Sequence, residues 1–325
     1  MIGLPAFILS LSLLVSNFNL YNYDTREYKD MSVNPIILDL DFCGDVDDAV
    51  AVRTATILDD MDVCSLKGVC LSVNDPKKSG SEVKALHGLL SNDGYGNIPI
   101  GVCSTDHVEE YSSYWDVLIP YSQTTPNSKD AVTLYKEILQ KSYNKVTIIV
   151  TGYTTNIKKL LEDKEGYALV KSKVEKIVIT GGSFQNNWDN NFGYYLGAAD
   201  AIVYVNKNCP CPVLYSFSDL GNNVKAGQAI IKNSPDDPIA KALVAHGDPD
   251  GRFAWDPYAV LIGCFPAGSL PFRYTYVEAD INNNGAYTFK RSDKKTNTVA
   301  AVKREDITYD QYQAIIEGIL GAGYQ

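Results

Sequence analysis

The chain has 325 residues, of which 45% are hydrophobic and 21% charged, a balance that excludes disordered, collagen-like and coiled-coil chains. Its formal net charge is −10 and its isoelectric point is near 4.8. That argues against a nucleic acid polymer gripped through its phosphates by a basic surface, and leaves open a small polar or metal-bearing site.

Ile2 to Val15 form an uncharged apolar run followed by a polar stretch. The run is short for a helix crossing roughly 30 Å of hydrocarbon and fits the apolar core of a secretory signal. Residues 1–20 are therefore read as a signal, and the chain as secreted or carried through the secretory pathway without stable membrane insertion; a retained anchor and a buried N-terminal segment are the other readings. From Pro35 onward, strand-like and helix-like stretches alternate: PIILDLDF, the helical DDAVAVRTATILDD, LKGVCLSV, the helical SEVKALHGLLSN, IPIGVC, the helical DAVTLYKEILQKSY, KVTIIVTG, the helical TNIKKLLEDKEG, and VEKIVIT ending in GGS. This rhythm predicts an α/β domain with a mostly parallel central sheet flanked by crossover helices. After AADAIVYV, PVLYSFS and AKALVAHG, a helix is predicted from about Asp256 to Gly263. FRYTYVEAD and AYTFKR then flank the turn-rich NNNG as an appended C-terminal β-hairpin, and TYDQYQAIIEGILG closes the domain as a helix.

The seven cysteines (Cys43, Cys64, Cys70, Cys103, Cys209, Cys211 and Cys264) lack the paired C-x-x-C spacing of a zinc site. In an oxidising compartment some would pair, and an odd count leaves at least one over.

Ligands of open α/β sheets sit at the carboxyl ends of the strands, and here the strand-to-helix turns read DLDFCGDVDDA, SVNDPKKSGS, VTGYTTN and TGGSFQNNWDNNF. The first holds Asp39, Asp41, Asp45, Asp47 and Asp48. Asp39 and Asp41 share one face of a strand, while Asp47 and Asp48 open the next helix, so several carboxylates converge. A hard divalent cation relieves their repulsion; helix capping and the helix dipole account for acids at a helix start without any metal. A phosphatase of the haloacid dehalogenase type would use Asp39 as nucleophile and Asp41 as acid, but the Lys and further acids it needs are not evident in VTGYTTN or TGGSFQNN.

Taken together, DLDFCGDVDDAVAV, SVND, VTGYTTNIKKLL, ITGGSF…WDNNFGYYLGAADAIVYV and GRFAWDPYAV resemble the calcium-dependent nucleoside hydrolases, the inosine-uridine-preferring family, in that family's order over about residues 35–320. The resemblance implies a single Rossmann-like domain over 34–325 that hydrolyses the N-glycosidic bond of ribonucleosides. The family's signature is D-x-D-P-G-x-D-D, and DLDFCGDVDD carries two additional residues. On this match Asp41 binds Ca2+ and activates water as general base toward C1′, Asp48 is the second calcium ligand, and Asp47 binds ribose. Asp45 either takes the role given to Asp47 or caps the helix. The Thr151 carbonyl and the Asp256 carboxylate complete the protein's share of the calcium shell.

For the ribose pocket the resemblance implies Asn74, either Asn186 or Asn187, and Asp189 and Asn191 at the family's E-x-N, with Asp in place of Glu. Where some members carry a His before the last calcium Asp, this chain has Trp255, which stacks on a base but does not protonate it; this resembles the purine-favouring branch. His246 is an alternative acid, and His107 also lies near a crevice loop, whereas His87 reads as structural. Tyr114, Trp115 and Trp188 read either as base-stacking groups or as packing aromatics. Arg252 either orders the loop before WDP by pairing with an acid or is a solvated charge. Relatives commonly form homodimers or homotetramers. The alternative function is a secreted calcium- and ribose-binding homologue without turnover, which Asp189 and Trp255 permit.

Overall fold

The unbroken apolar runs of the sequence lie at the centre of one ten-stranded sheet in the computed structural model, which describes residues 33–74, 80–104 and 112–323. The run read as a signal and His107 fall outside the described residues. The strands are β1 (Asn34–Leu40), β2 (Cys64–Leu71), β3 (Ile100–Val102), β4 (Ser128–Asp130), β5 (Val146–Val150), β6 (Val174–Thr180), β7 (Val213–Ser216), β8 (Lys225–Ala226), β9 (Arg252–Phe253), β10 (Phe272–Ile281), β11 (Tyr287–Arg291) and β12 (Thr298–Lys303). The sheet order is β11-β10-β12-β7-β6-β5-β1-β2-β3-β4, and β8 and β9 form a separate pair. All contacts from β12 through β4 are parallel; β10 runs antiparallel to both its neighbours.

Both faces of the central strands are covered, which is why β1 and β5 show no polar alternation. Ile36, Leu38 and Leu40 enter the core on one face, and Ile37 enters the core on the other. The helix Asp47–Asp60 is buried from Asp47 through Leu58, and the helix Trp255–Cys264 from Asp256 onward. A helix enclosed on all sides is apolar all round; these two depart from that rule at their acidic first turns, and the first of them also at Arg53, Thr54 and Thr56.

Three elements differ from the sequence reading. TVAAVK, to which no strand is assigned from the sequence, forms β12 between β10 and β7, so the C-terminal hairpin is an extension of the main sheet. TNIKKLLEDKEG splits into the helices Thr155–Glu162 and Lys164–Lys173, because Asp163 is extended (ψ 124°) and accepts the Gly166 N–H at 2.7 Å, capping the second helix. AADAIVYV, to which the sequence reading assigns neither helix nor strand, lies within the helix Leu196–Asn208. Among the described residues no helix is long and apolar enough to cross a membrane.

One buried ion cluster anchors the acid-bearing helix. The Arg53 guanidinium, 6% exposed, reaches Asp93 at 2.8 Å and Asp237 at 3.0 Å. Asp237 in turn caps the helix Pro238–His246 through the Ile239 N–H. Removing one partner of a buried ionic cluster leaves the other charges uncompensated. Arg53→Ala is expected to lower unfolding stability by about 3–5 kcal/mol, measured by urea denaturation; a loss below about 1 kcal/mol would contradict this role.

Candidate active site

The turn after β1 reverses through Phe42, a non-glycine residue with φ of +42°. Such a conformation stores about 1–3 kcal/mol and persists only where the surroundings hold it. Three contacts hold it here. The Phe42 N–H donates to Asp48 Oδ2 at 2.9 Å, the Trp115 Nε1–H donates to the Phe42 carbonyl at 2.9 Å, and the Phe42 ring meets Tyr114 edge-on at 5.6 Å. Tyr114 and Trp115 are fully buried; both brace the acid turn from the core and neither forms a face of a base sandwich.

The neighbouring strand ends close on this turn. The Thr151 N–H donates to the Asp39 carbonyl at 2.7 Å, and the Thr151 hydroxyl donates to Asp48 Oδ1 at 3.1 Å. Gly152 permits that approach, since a Cβ there would stand 2.4 Å from the Asp41 amide nitrogen. The Asp256 N–H donates to Asp47 Oδ2 at 3.2 Å, bringing the WDP segment to the head of the helix Asp47–Asp60.

Asp47, Asp48 and Asp256 are buried and Asp41 is half-buried. Burial pushes the Asp48 carboxyl well up from its ordinary pKa, helped by the charges of Asp41, Asp256 and Asp47. Asp47 is raised by burial and then by Asp256 and Asp45, and Asp256 by burial and then by Asp41 and Asp45. The four acids are thus electrostatically one group. Among the described residues no three His, Cys, Asp or Glu side chains stand in a geometry that grips an ion without adjustment. The donor set nonetheless fits a hard divalent cation, because enclosed carboxylates whose mutual repulsion opposes ionisation are relieved by a centred positive charge. Asp41, Asp48, the Thr151 carbonyl and Asp256 would hold it. That carbonyl already accepts the Asn191 amide at 2.6 Å, which fixes its direction and leaves a lone pair.

Asp39 has a different place. It is 0% exposed and receives the Tyr135 hydroxyl at 2.7 Å and the Asn156 amide at 3.2 and 3.1 Å. Burial, opposed by those bonds, pushes its pKa up to about 7. An acid so enclosed cannot reach a phosphorus atom, which removes the phosphatase reading. Asn156 also bonds the Leu71 carbonyl at 3.0 Å, so it ties β1 to β2. Its role was not assigned from the sequence, although the TTN at a strand-end turn was the available signal.

Asp45 is the acid whose role the sequence left open. Its side chain accepts the Asp47 N–H at 3.2 Å and takes a forked pair of bonds from Arg252. Burial acts to raise its pKa, but the bonds and charge of Arg252 outweigh that and hold it below the ordinary value. Arg252 also lies 3.6 Å from Asp248 and stacks 5.3 Å over the Trp255 ring. Trp255 is half-buried and donates its Nε1–H to Asn222 Oδ1 at 2.8 Å.

His246 meets Asp248 through Nδ1 at 2.6 Å and the Gly44 carbonyl through Nε2 at 3.1 Å, so both ring nitrogens are engaged in bracing the turn. His87 is buried between Ser122 and Gly96.

The residues expected to bind ribose are spread around this centre. Asn74 is half-buried and donates to the Cys103 carbonyl at 3.4 Å. Asp189 is turned into its own loop, accepting from Ser218 at 2.8 Å, Gly182 at 3.2 Å and Asn191 at 3.1 Å. The side chains of Asn186 and Asn187 are exposed; the backbone of Asn186 bonds Ser183, and the Asn187 carbonyl accepts the Tyr287 N–H from β11. Trp188 is 48% exposed and rests against Gly193.

The Asp45–Arg252 pair should couple energetically. Asp45→Asn, Arg252→Gln and the double variant, compared by urea denaturation, are expected to give an interaction of about 1–3 kcal/mol. A value under about 0.5 kcal/mol would reduce the pair to a surface contact.

Known proteins with this architecture share its sequence only partly. The pyrimidine-specific ribonucleoside hydrolase RihA of Escherichia coli is 28% identical over 183 residues, 53% of this chain and 53% of that protein; the chain thus spans about half the length of the curated relatives it matches. The inosine-uridine preferring nucleoside hydrolase of Bacillus anthracis superposes with a TM-score of 0.66 at 14% identity, covering 89% of this chain and 100% of that one. The purine-preferring ribonucleoside hydrolase of Gardnerella vaginalis gives a TM-score of 0.66 at 17% identity, covering 89% of this chain and 99% of the other. At these identities the structures establish the fold alone. Residues 36–208, more than half of the chain, match the family profile of inosine-uridine preferring nucleoside hydrolases, and the chain belongs to that family.

Proposed function

We propose that the protein hydrolyses the N-glycosidic bond of ribonucleosides, purine nucleosides foremost, releasing free base and ribose with Ca2+ as cofactor. The observation that carries this reading is the union of Asp41, Asp47, Asp48 and Asp256 into one repelling group at the carboxyl end of β1. Asp41, Asp48, the Thr151 carbonyl and Asp256 would hold the calcium ion, which would supply positive charge and Lewis acidity beside the attacking water. Asp41, half-buried at the rim of the group, takes the proton from the water that attacks C1′. In this reading Asp47 accepts from a ribose hydroxyl, and the carboxylates together stabilise positive charge developing on the sugar. Asn191 orients the Thr151 carbonyl, and Asn74, just past the end of β2, is a further ribose contact in this reading.

The purine preference rests on Trp255 and His246. The indole N–H of Trp255 is bonded to Asn222 and both nitrogens of His246 are committed, so neither is a ready acid for the leaving base. Purine ring nitrogens pick up a proton more readily than a pyrimidine leaving group, and Trp255 offers a stacking surface. The N-terminal apolar run supports action in the secretory pathway or outside the cell.

Release of base and ribose from inosine, adenosine, guanosine, uridine and cytidine, with and without EDTA, tests this directly. Asp41→Asn is expected to lower kcat at least about 100-fold. Calcium is expected to raise the Tm of the wild type, and Asp48→Asn to remove that rise, since a ligand that binds only the folded state stabilises it by mass action. Ribose bound without turnover of any nucleoside would place the chain among non-catalytic binders; turnover unaffected by EDTA would overturn the calcium assignment.

A further inference from the structure

No disulfide joins any of the seven cysteines, and five of them, Cys43, Cys64, Cys70, Cys103 and Cys264, are no more than 2% exposed. Cys64 and Cys264 interact with each other, but both are shut inside the core. Cys209 and Cys211 differ. They flank Pro210 in the segment Cys209-Pro210-Cys211-Pro212 between the helix Leu196–Asn208 and β7, with their sulfurs 3.5 Å apart.

The chain holds the two thiols together by its backbone. Proline fixes its own φ, and the residue before a proline is confined to extended conformations; Cys209 has φ −63° and ψ 121° accordingly. Here both cysteines precede a proline, so the approach of the sulfurs costs little further chain entropy. The Asn297 amide pins the same turn, donating to the Cys211 carbonyl at 2.8 Å and to that of Cys209 at 3.5 Å, while its own carbonyl accepts the Val213 N–H at 2.9 Å.

We propose that Cys209 and Cys211 are a redox-active dithiol that closes to a disulfide by exchange with a small disulfide such as oxidised glutathione, Cys209 attacking and Cys211 resolving. Cys209 is half-buried and open to a small reagent, whereas Cys211 is 4% exposed. The hydrogen bond between the two sulfurs, which either thiol can donate, holds the Cys209 thiol below its ordinary pKa against burial, which raises its thiolate fraction. In the first step the Cys209 thiolate forms a bond to one glutathione sulfur, the glutathione S–S bond breaks, and one glutathione thiolate leaves. In the second, Cys211 gives its proton to solvent and attacks the Cys209 sulfur, the mixed disulfide breaks, and a second glutathione thiolate leaves. Two protein thiols are oxidised and one small disulfide is reduced to two thiols. The sulfurs move from 3.5 Å to about 2.05 Å. The pair lies at the amino end of β7, while the acid group lies at the carboxyl ends of the strands, so the chemistry is separate from the proposed hydrolysis.

Trypsin cleavage after Lys207 and Lys225 gives a peptide, Asn208–Lys225, that contains these two cysteines and no other. The reduced, folded full-length protein is incubated with oxidised glutathione, alkylated under denaturing conditions, digested and analysed by mass spectrometry. The expected result is an unalkylated peptide lighter by two hydrogens, with the five buried cysteines still alkylated. Cys211→Ser is expected to trap one glutathione on Cys209, and Cys209→Ser to leave Cys211 unmodified over the same interval. Two alkylated thiols in the wild-type peptide after full equilibration, or a wild-type peptide retaining glutathione without closing, would overturn the proposal. The wild-type result decides even if a variant fails to fold.

Discussion

Mutual repulsion among carboxylates at the carboxyl end of β1 is the constraint around which the rest of the molecule is arranged. Asp47, Asp48 and Asp256 have almost no contact with water, and an ionised carboxylate in that position is costly unless it is paired or hydrogen-bonded. The fold bonds these acids from the backbone. The amides of Phe42 and Asp256 donate to Asp48 and Asp47, and the Thr151 hydroxyl donates to Asp48. Each bond joins a different element to the turn, so the electrostatic requirement and the closure of the strand ends are met by the same contacts.

Holding acids together also requires rigidity in what surrounds them. The helices Asp47–Asp60 and Trp255–Cys264 are enclosed almost throughout and pack on one another, so neither can swing away to lessen the repulsion. The strained Phe42 turn is held by Tyr114 and Trp115 and, through the Gly44 carbonyl, by His246, whose ring stands 6.2 Å from that of Tyr114. Aromatic bulk here acts on positioning: Tyr114 and Trp115 are buried beneath the turn and support it.

The sequence reading recovered what depends on local periodicity and strand-end position. The helices at Asp47–Asp60 and Ser81–Asn92, the strand Val174–Thr180 and the parallel rhythm all follow from apolar runs and turn residues, and the acid cluster was legible because strand ends carry the chemistry in such sheets. What depended on distant partners was not legible. Arg252 meets Asp45 across a separation of 207 residues, and Tyr135 meets Asp39 across 96. β12 escaped because TVAAVK is short and bounded by polar residues, and its strand character comes from docking between β7 and β10. Asp189 occupies the position where a sugar contact was expected, yet its shorter side chain is bonded by its own loop and by Ser218; side-chain reach is fixed by the backbone around it, which spacing alone does not give.

The longer turn and Arg252 are best understood together. Two additional residues in the acid signature bring a fifth acid, Asp45, to a place where Asp47 and Asp256 already repel. Ionised and unpaired, that carboxylate would raise its neighbours further and pull the turn toward water. Arg252 resolves this by neutralising Asp45 in a planar fork, and the same guanidinium lies over Trp255, next to Asp256 in the chain. The Asp45–Arg252 pair therefore fastens the first turn to the last acidic segment. Asp248 and His246 continue the chain of charge and hydrogen bonds back to Gly44, so the added residues are held from both sides and the acids they precede keep one geometry.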